Sequence, residues 1–451
     1  MEIPVTEQTI AARLERLPFS RWHVTIILLL GIAIFFDSFD SLTLAYVLPV
    51  IVPAWHIPSA SIGALIGIAN LGQALGAFAF GLIAERIGRV PAARLTIAIY
   101  ALMSFACAMT STYEQLFWCR FVQGIGLGGE IPIASTYISE MLRAEKRGGS
   151  FLSYQTIFPV GLVMSAITGA YVVPRFGWQW MFILGGTPAL IALFLQRFCP
   201  ESPRWLASRG RLREADTVMS HIEDIVSRNG ERPLPEIRRL MFRPTESRTR
   251  WRELFEGQYL GRTLLAWLLW ACTYLISYGM SGWIPTLFRE IYHLPLQQAL
   301  IYSIAPPLGM LVGSILCASV IDRTGRRAWF IAAYSLTAVG LLLLYLFAAR
   351  TALGMVLAYA FCAMWTGSMG MAVVLYTAEI YPTRIRAMGV AFASFWLRIS
   401  ATVSPILVGI ALPFFGIAGV FGMLASIAVI GGFVALFMVE TRHRVLEEVS
   451  P

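Results

Sequence analysis

The chain carries Gly81-Leu-Ile-Ala-Glu-Arg-Ile-Gly-Arg89 and, later, Ser319-Val-Ile-Asp-Arg-Thr-Gly-Arg-Arg327. Each stretch closes an apolar run with the order acid-Arg-x-Gly-Arg, and the two acids, Glu85 and Asp322, stand 237 residues apart. Working outward, Glu140 precedes Arg147 by seven residues, and Glu379 precedes Arg386 by the same seven at an offset of 239. Pro200-Glu201-Ser202 and Glu440-Thr441 follow later apolar runs, again 239 apart. Three matches at nearly one offset imply two structurally equivalent halves. Repeated halves with a binding site between them are characteristic of membrane transporters.

Composition points the same way. Of 451 residues, 57% are apolar and 14% charged, with a mean hydropathy of +0.68. Soluble domains carry roughly 25% charged residues. A chain with so little charge cannot clothe a soluble surface, which excludes a cytosolic enzyme, a nucleic-acid binder and a disordered chain. The apolar runs are long and continuous, which also excludes a β-barrel. Six cysteines lie in or beside apolar runs without metal-ligand spacing, so no metal site and no disulfide framework is expected. Ile10, Leu14 and Leu17 recur at helical spacing among charges, the pattern of a short interfacial helix within 6–21.

A helix needs about 20 apolar residues to cross a bilayer. Twelve runs qualify: 23–52, 60–84, 92–112, 114–138, 149–172, 178–198, 261–288, 298–321, 328–348, 353–377, 388–412 and 416–438. The expected fold is therefore all-α: twelve transmembrane helices in two pseudo-symmetric six-helix halves, 1–199 and 261–451, joined by a polar cytoplasmic linker, 200–260. The net charge of +9 is not spread evenly. With the N-terminus placed inside, thirty of the 35 Lys and Arg fall in inside segments and three, Arg175, Arg289 and Arg350, in outside loops. That asymmetry puts both termini and the linker in the cytoplasm.

These motifs resemble the major facilitator superfamily of secondary transporters, and the resemblance spans essentially the whole chain. Glu85 replaces the family's usual Asp in the first copy. Arg120-Phe-Val-Gln-Gly124, with Gly126 and Gly128, is similar to the family's fourth-helix motif. Pro200-Glu-Ser-Pro-Arg-Trp-Leu206 is similar to sugar porters and to bacterial metabolite:proton symporters. Asp37-Ser-Phe-Asp40 resembles the Asp-x-x-Asp of niacin-type and aromatic-acid:proton symporters, and Gly128-Gly129-Glu130-Ile-Pro132 resembles the niacin-type branch more closely. Arg398, seven before Pro405, resembles an arginine of organic-anion carriers. The seventh run lacks the Gln-Gln…Asn pattern of sugar porters, which counts against a hexose.

Five charges stand out inside apolar runs: Asp37, Asp40, Arg120, Glu130 and Arg398. A charge at mid-bilayer costs about 2.5–3.5 kcal/mol on insertion scales, so such residues usually face the bundle interior and act there. Asp37 and Asp40 lie about 60° apart on one helix face. They are read as proton-coupling groups, substrate contacts or both; the alternative for Asp40 is a hydrogen bond to a neighbouring helix. Arg120 either couples protons or braces helices, and Glu130 either titrates or pairs with cytoplasmic charge. Arg398 is the anion anchor, since a guanidinium stays charged and grips a carboxylate with two parallel bonds; its alternative is a permanent ion pair between the halves.

Aromatic and amide side chains that suit a planar acid are Tyr154, Gln155, Tyr274, Tyr278, Trp365 and Trp396, each equally readable as helix packing. A gating set is expected at the cytoplasmic helix ends: Glu85, Arg86, Arg89, Glu140 and Arg147 in one half, Asp322, Arg326, Glu379 and Arg386 in the other, with Glu201 and Arg204 of the motif after the sixth run. Such pairs are individually weak, about 0–1 kcal/mol, which suits states that must interconvert; they are expected to favour the outward-facing arrangement. Small-residue runs such as Gly72/Gly76 and Gly124/Gly128 should let helices approach closely.

The expectation is a monomeric proton symporter of the bacterial inner membrane, carrying a nicotinate-like or benzoate-like monocarboxylate by alternating access. Its partners are that acid, protons and membrane lipid, with no nucleic acid, no cofactor, no metal and no enzymatic activity. The alternatives are a sugar or organic-cation carrier of the same fold, or a non-transporting membrane receptor.

Overall fold

The computed structural model describes residues 6–142, 157–187, 199–228, 234–235, 251–347 and 351–442. Arg147, Tyr154 and Gln155 lie outside the described residues. The first half contains α2 (Arg21–Trp55), α3 (Ser59–Ile87), α4 (Arg89–Ala108), α5 (Tyr113–Gly128), α6 (Glu130–Met141), α7 (Ile157–Phe176) and α8 (Gln179–Gly185), preceded by α1 (Glu7–Arg16). Two linker helices follow, α9 (Pro203–Ser208) and α10 (Leu212–Arg228). The second half contains α11 (Gly257–Ser281), α12 (Ile284–Glu290), α13 (Leu296–Tyr302), α14 (Ala305–Thr324), α15 (Arg326–Phe347), α16 (Ala352–Glu379) and α17 (Thr383–Ala435).

Among the described residues nine helices are long and apolar enough to cross a membrane. Three local features reconcile nine with the twelve crossings of the fold. The fourth crossing is split into α5 and α6 at Gly129, where Pro132 has no N–H to return to the preceding turn. Of the sixth, the structure describes α8 and the residues up to 187. The last two crossings run together in α17, which turns at Gly416, a residue with φ 64° and ψ −176° that suits glycine.

Glycines set the closest helix approaches, and they do so twice. A Cβ on Gly72 or Gly76 of α3 would collide with the backbone of α5 at Phe121 and Ile125; one on Gly124 or Gly128 of α5 would collide with α3 at Ala69 and Gln73. In the second half, Gly309 and Gly313 of α14 stand in the same relation to Ala360 and Met364 of α16. In both halves a small-residue stripe brings the second helix of the half onto the fourth.

The charged motifs at the helix ends repeat as well. Arg89 binds Glu85 and Glu140, at 2.9 and 2.8 Å, and Arg326 binds Asp322 and Glu379, both at 2.8 Å. Glu201 accepts the backbone N–H groups of Arg89 and Val90 at the start of α4, at 3.0 and 3.2 Å. Glu440 does the same for Arg326 and Arg327 at the start of α15, at 2.9 and 3.0 Å. A carboxylate at a helix N-terminus satisfies orphan donors and complements the dipole. These bonds tie helices of one half to each other. Two residues of the expected gating set are placed differently from expectation. Arg386 donates to the backbone carbonyl of Tyr381 at 3.3 Å, because the chain turns back on itself at Pro382. Arg204 reaches Glu15 of α1 at 2.8 Å. Arg86 is exposed.

The helix expected near the N-terminus is present as α1, but its apolar face meets protein. Ile10 and Leu14 are fully or almost fully buried in one cluster with Ala215, Met219, Ile222 and Val226 of α10. Arg13 and Arg16 clamp the other side through Glu223, at 2.7 and 2.6 Å. Part of the linker is thus a helical unit strapped to the first half.

The halves meet at the end remote from these motifs. Tyr46 of α2 donates to the Ser303 carbonyl at 2.8 Å, and Arg289 of α12 donates to the Pro49 carbonyl. Along α3 and α17, Gly63 lies on the Pro405 backbone, Gly67 on the Thr402 backbone, and Asn70 donates to the Ala401 carbonyl at 3.2 Å. Farther along α3, toward the charged end, Gly81 faces open space.

Candidate functional site

Between the halves lies a cavity with about 760 Å³ of empty space, part of it open to solvent. Its walls follow helical spacing. From α11 come Tyr274, Ser277, Tyr278 and Ser281, one face of one helix. Tyr359, Ala363 and Thr366 of α16 repeat at four and three residues. The first half contributes Ser41, Leu42 and Tyr46 of α2 and Phe158 and Leu162 of α7. Trp270, Tyr274 and Tyr278 form a tilted ring ladder with centroids 5.5 and 6.2 Å apart. The lining is mostly apolar and aromatic with scattered hydroxyls, suited to a flat ring bearing a few polar groups.

Asp37 sits one helical turn before Ser41, whose hydroxyl donates to the Asp37 carbonyl at 2.9 Å. The Asp37 side chain is 3% exposed, and its Oδ1 is buried with no hydrogen-bond partner. It lies within electrostatic reach of Arg398, as do Tyr274 and Tyr278. Glu130 is also buried, with an unpartnered Oε1. Arg398 donates across the seam to the side-chain oxygen of Gln73, a buried residue of α3.

Asp40 and Arg120 are brought together as a buried pair, with Arg120 Nη1 at 2.8 and 2.7 Å from the two carboxylate oxygens. Gln123 donates to Asp40 Oδ1 at 3.0 Å and to Ser104 at 2.6 Å, and accepts from Arg120 at 2.7 Å. The Arg120 guanidinium lies 5.9 Å from the Phe182 ring centre. This geometry has the form of the bracing alternative: four side chains on three helices bond to one another inside the first half, with Arg120 Nε left without a partner.

Of the expected substrate contacts within the described residues, Tyr274 and Tyr278 line the cavity, whereas Arg398, Asp37, Trp365 and Trp396 do not. Trp365 is not among the cavity-lining residues; its ring packs on Trp329 at 5.9 Å and Phe361 at 6.3 Å, because helical rotation turns Ala363 and Thr366 to the cavity instead. Trp396 packs on Trp267 at 5.8 Å, an aromatic contact between α17 and α11. The sequence reading missed Gln73, Gln123, Ser41, Ser277 and Ser281. These are polar residues within apolar runs, a weaker signal than charge because a neutral amide or hydroxyl costs less to bury.

The chain matches the family model described as sugar (and other) transporter over residues 27–451. It is 30% identical over 407 residues to the niacin transporter NiaP of Acinetobacter baylyi, spanning 88% of this chain and 89% of that one. It is 27% identical over 409 residues to the 4-hydroxybenzoate transporter PcaK of Pseudomonas aeruginosa, spanning 86% of each. The xylose transporter XylE of E. coli, in a partially occluded inward open conformation, matches with a TM-score of 0.74 at 18% identity, covering 94% of this chain and 100% of that one. This last likeness shows the fold.

Proposed function

The chain belongs to the sugar (and other) transporter family, within the major facilitator superfamily, and on that premise we propose that it is a proton-coupled symporter of a small aromatic monocarboxylate. It is a membrane transporter and not an enzyme. The observation that carries the substrate reading is the position of Arg398, a guanidinium in the seam beside a tyrosine-lined cavity, facing the field of a buried carboxylate, Asp37, with an unpartnered oxygen. In this reading the ring of the acid lies along Tyr274 and Tyr278, which line the cavity, and its carboxylate reaches past that lining to Arg398 in the adjoining seam. The names of NiaP and PcaK, a niacin and a 4-hydroxybenzoate transporter, support the same class.

In this reading Arg398 holds the anion, and Asp37 takes the coupled proton with Glu130 as a second buried carboxyl behind it. Asp40 and Arg120 keep the first half rigid. The Lys/Arg-rich end faces the cytoplasm, so the closed end is the outside and the structure is an inward-facing state. Rocking of the two halves, 1–199 and 261–451, which the 200–260 linker joins, exchanges the open ends. The protein works as a monomer in the inner membrane, needs no cofactor, and is surrounded by lipid at its exposed apolar helix faces.

The test is uptake of labelled nicotinate and benzoate into proteoliposomes with an imposed pH gradient, acidic outside. Accumulation that collapses with a protonophore is expected. Accumulation that is indifferent to it removes the proton coupling. The cavity hydroxyls Ser41, Ser277, Ser281 and Thr366 favour a second reading, a sugar. Competition by xylose stronger than by nicotinate or benzoate would select it.

A further inference from the structure

Arg398 has a partner within the protein itself. Its guanidinium donates to the side-chain oxygen of Gln73, on the opposite half. Gln73 is 4% exposed and sits midway along α3, at the inner end of a ladder of contacts between α3 and α17. The rungs run Gly63 to Pro405, Gly67 to Thr402, Asn70 to Ala401 and Gln73 to Arg398, about one per helical turn. The first three involve the α17 backbone and are indifferent to any ligand. The fourth joins two side chains, and one of them is the proposed anion anchor.

We infer that Gln73 is an internal competitor of the substrate: its amide oxygen occupies on Arg398 the position that a substrate carboxylate would take, and its return to Arg398 displaces the substrate toward the open end. This rests on the reading of Arg398 as the anion anchor. An amide oxygen is a neutral acceptor, so a carboxylate forms the stronger, charge-assisted bond. Gln73 is tethered next to Arg398, however, and its high local concentration offsets that weakness. Substrate binding at Arg398 opens the inner rung of the seam and favours separation of α3 from α17 at the closed end. Re-formation of the rung expels the anion and restores the seam. Gln73 is thus a positioning residue that links occupancy of the site to the state of the interface.

The experiment uses the full chain reconstituted in lipid, with nicotinate and benzoate as probes. Three readouts are taken: Kd, net uptake under a pH gradient, and exchange of labelled for unlabelled acid at equal concentrations. Removing one hydrogen bond to a charged group corresponds to about tenfold in an equilibrium. Gln73→Ala is therefore expected to tighten Kd about tenfold, to lower KM and kcat of net uptake together, and to leave exchange running. Gln73→Glu supplies a tethered carboxylate and is expected to abolish binding at neutral pH. A folded Gln73→Ala with unchanged or weaker Kd overturns the proposal, as does a Gln73→Glu that still binds. Should Gln73→Ala not fold, Gln73→Leu keeps the volume and is read the same way. Arg398→Ala separates the two claims. Retained affinity there overturns the anchor and the competitor with it, whereas lost affinity combined with an untightened Gln73→Ala overturns the competitor alone.

Discussion

Arg120 donates from one nitrogen to both carboxylate oxygens of Asp40, and Gln123 bridges the pair by bonding to each. Three residues earlier on the same helix, Asp37 leaves Oδ1 buried and unpartnered. Two acids that read alike in sequence therefore have different environments. The Asp40 carboxylate is fixed in place by its bonds to Arg120 and Gln123, whereas Oδ1 of Asp37 has no bond of that kind to hold it.

Substituting the two acids should separate stability from coupling. Asp40→Ala leaves a buried guanidinium uncompensated, a loss of about 3–5 kcal/mol, read as a large drop in thermal unfolding temperature. Asp37→Asn removes no hydrogen bond at Oδ1, so unfolding should change little while pH-driven accumulation disappears and exchange persists. Similar stability losses in the two variants would contradict this division.

The aromatic residues divide in the same manner. Tyr278 lines the cavity and Trp365 packs on Trp329. Tyr278→Ala should weaken nicotinate and benzoate binding by about tenfold, the loss of one aromatic contact of about 0.5–1.5 kcal/mol with its buried area. Trp365→Leu should leave Kd in place and lower stability by about 1–3 kcal/mol. Titration calorimetry with unfolding curves on the same samples gives both numbers.

Sequence carried the fold well because its signal is summed over long segments. The repeat of Glu85 and Asp322, and of Glu140 and Glu379, reappears as duplicated ion pairs on Arg89 and Arg326. The candidate site was legible to the extent that charges within apolar runs are rare and must turn inward, and Asp37, Asp40, Arg120 and Glu130 are all buried. It was less legible in Trp365 and Trp396, because a ring in an apolar helix fits packing and cavity walls equally well, and the choice depends on helix rotation. Gln73 was not singled out at all. Its importance comes from the partner across the seam, and pairing between α3 and α17, 325 residues apart, is a tertiary fact.

The glycine stripes predict a sharp contrast along one helix. Gly76 lies against the α5 backbone, whereas Gly81 faces open space. Gly76→Ala must push α3 from α5 and should destabilise by about 1–3 kcal/mol. Gly81→Ala meets nothing and should be neutral or stabilising by about 0.5–1 kcal/mol, the ordinary helix preference for alanine. Thermal unfolding in one lipid composition compares them, and equal effects would mean that the close approach of α3 and α5 is not rigid.

The two capping acids should respond to pH with opposite sign. Burial pushes the Glu201 carboxyl above the ordinary glutamate range, outweighing N–H bonds from Ser202, Arg89 and Val90. Burial also acts upward on Glu440, but N–H bonds from Arg326, Arg442, Arg327 and Thr441 outweigh it and hold that carboxyl below the range. A raised carboxyl contributes stability that is full below the unfolded-state value, about 4.3 for glutamate, and is lost as pH rises through the folded value. A lowered one contributes stability that is full above about 4.3 and is lost as pH falls through the folded value. Unfolding temperatures of wild type, Glu201→Gln and Glu440→Gln are therefore compared from about pH 3 to pH 7, a range that brackets the ordinary glutamate value. As pH rises, the advantage of wild type should shrink relative to Glu201→Gln and grow relative to Glu440→Gln. Parallel curves for the two variants would mean that the matching caps of the two halves sit in equivalent electrostatic environments, contrary to their different burial and N–H counts.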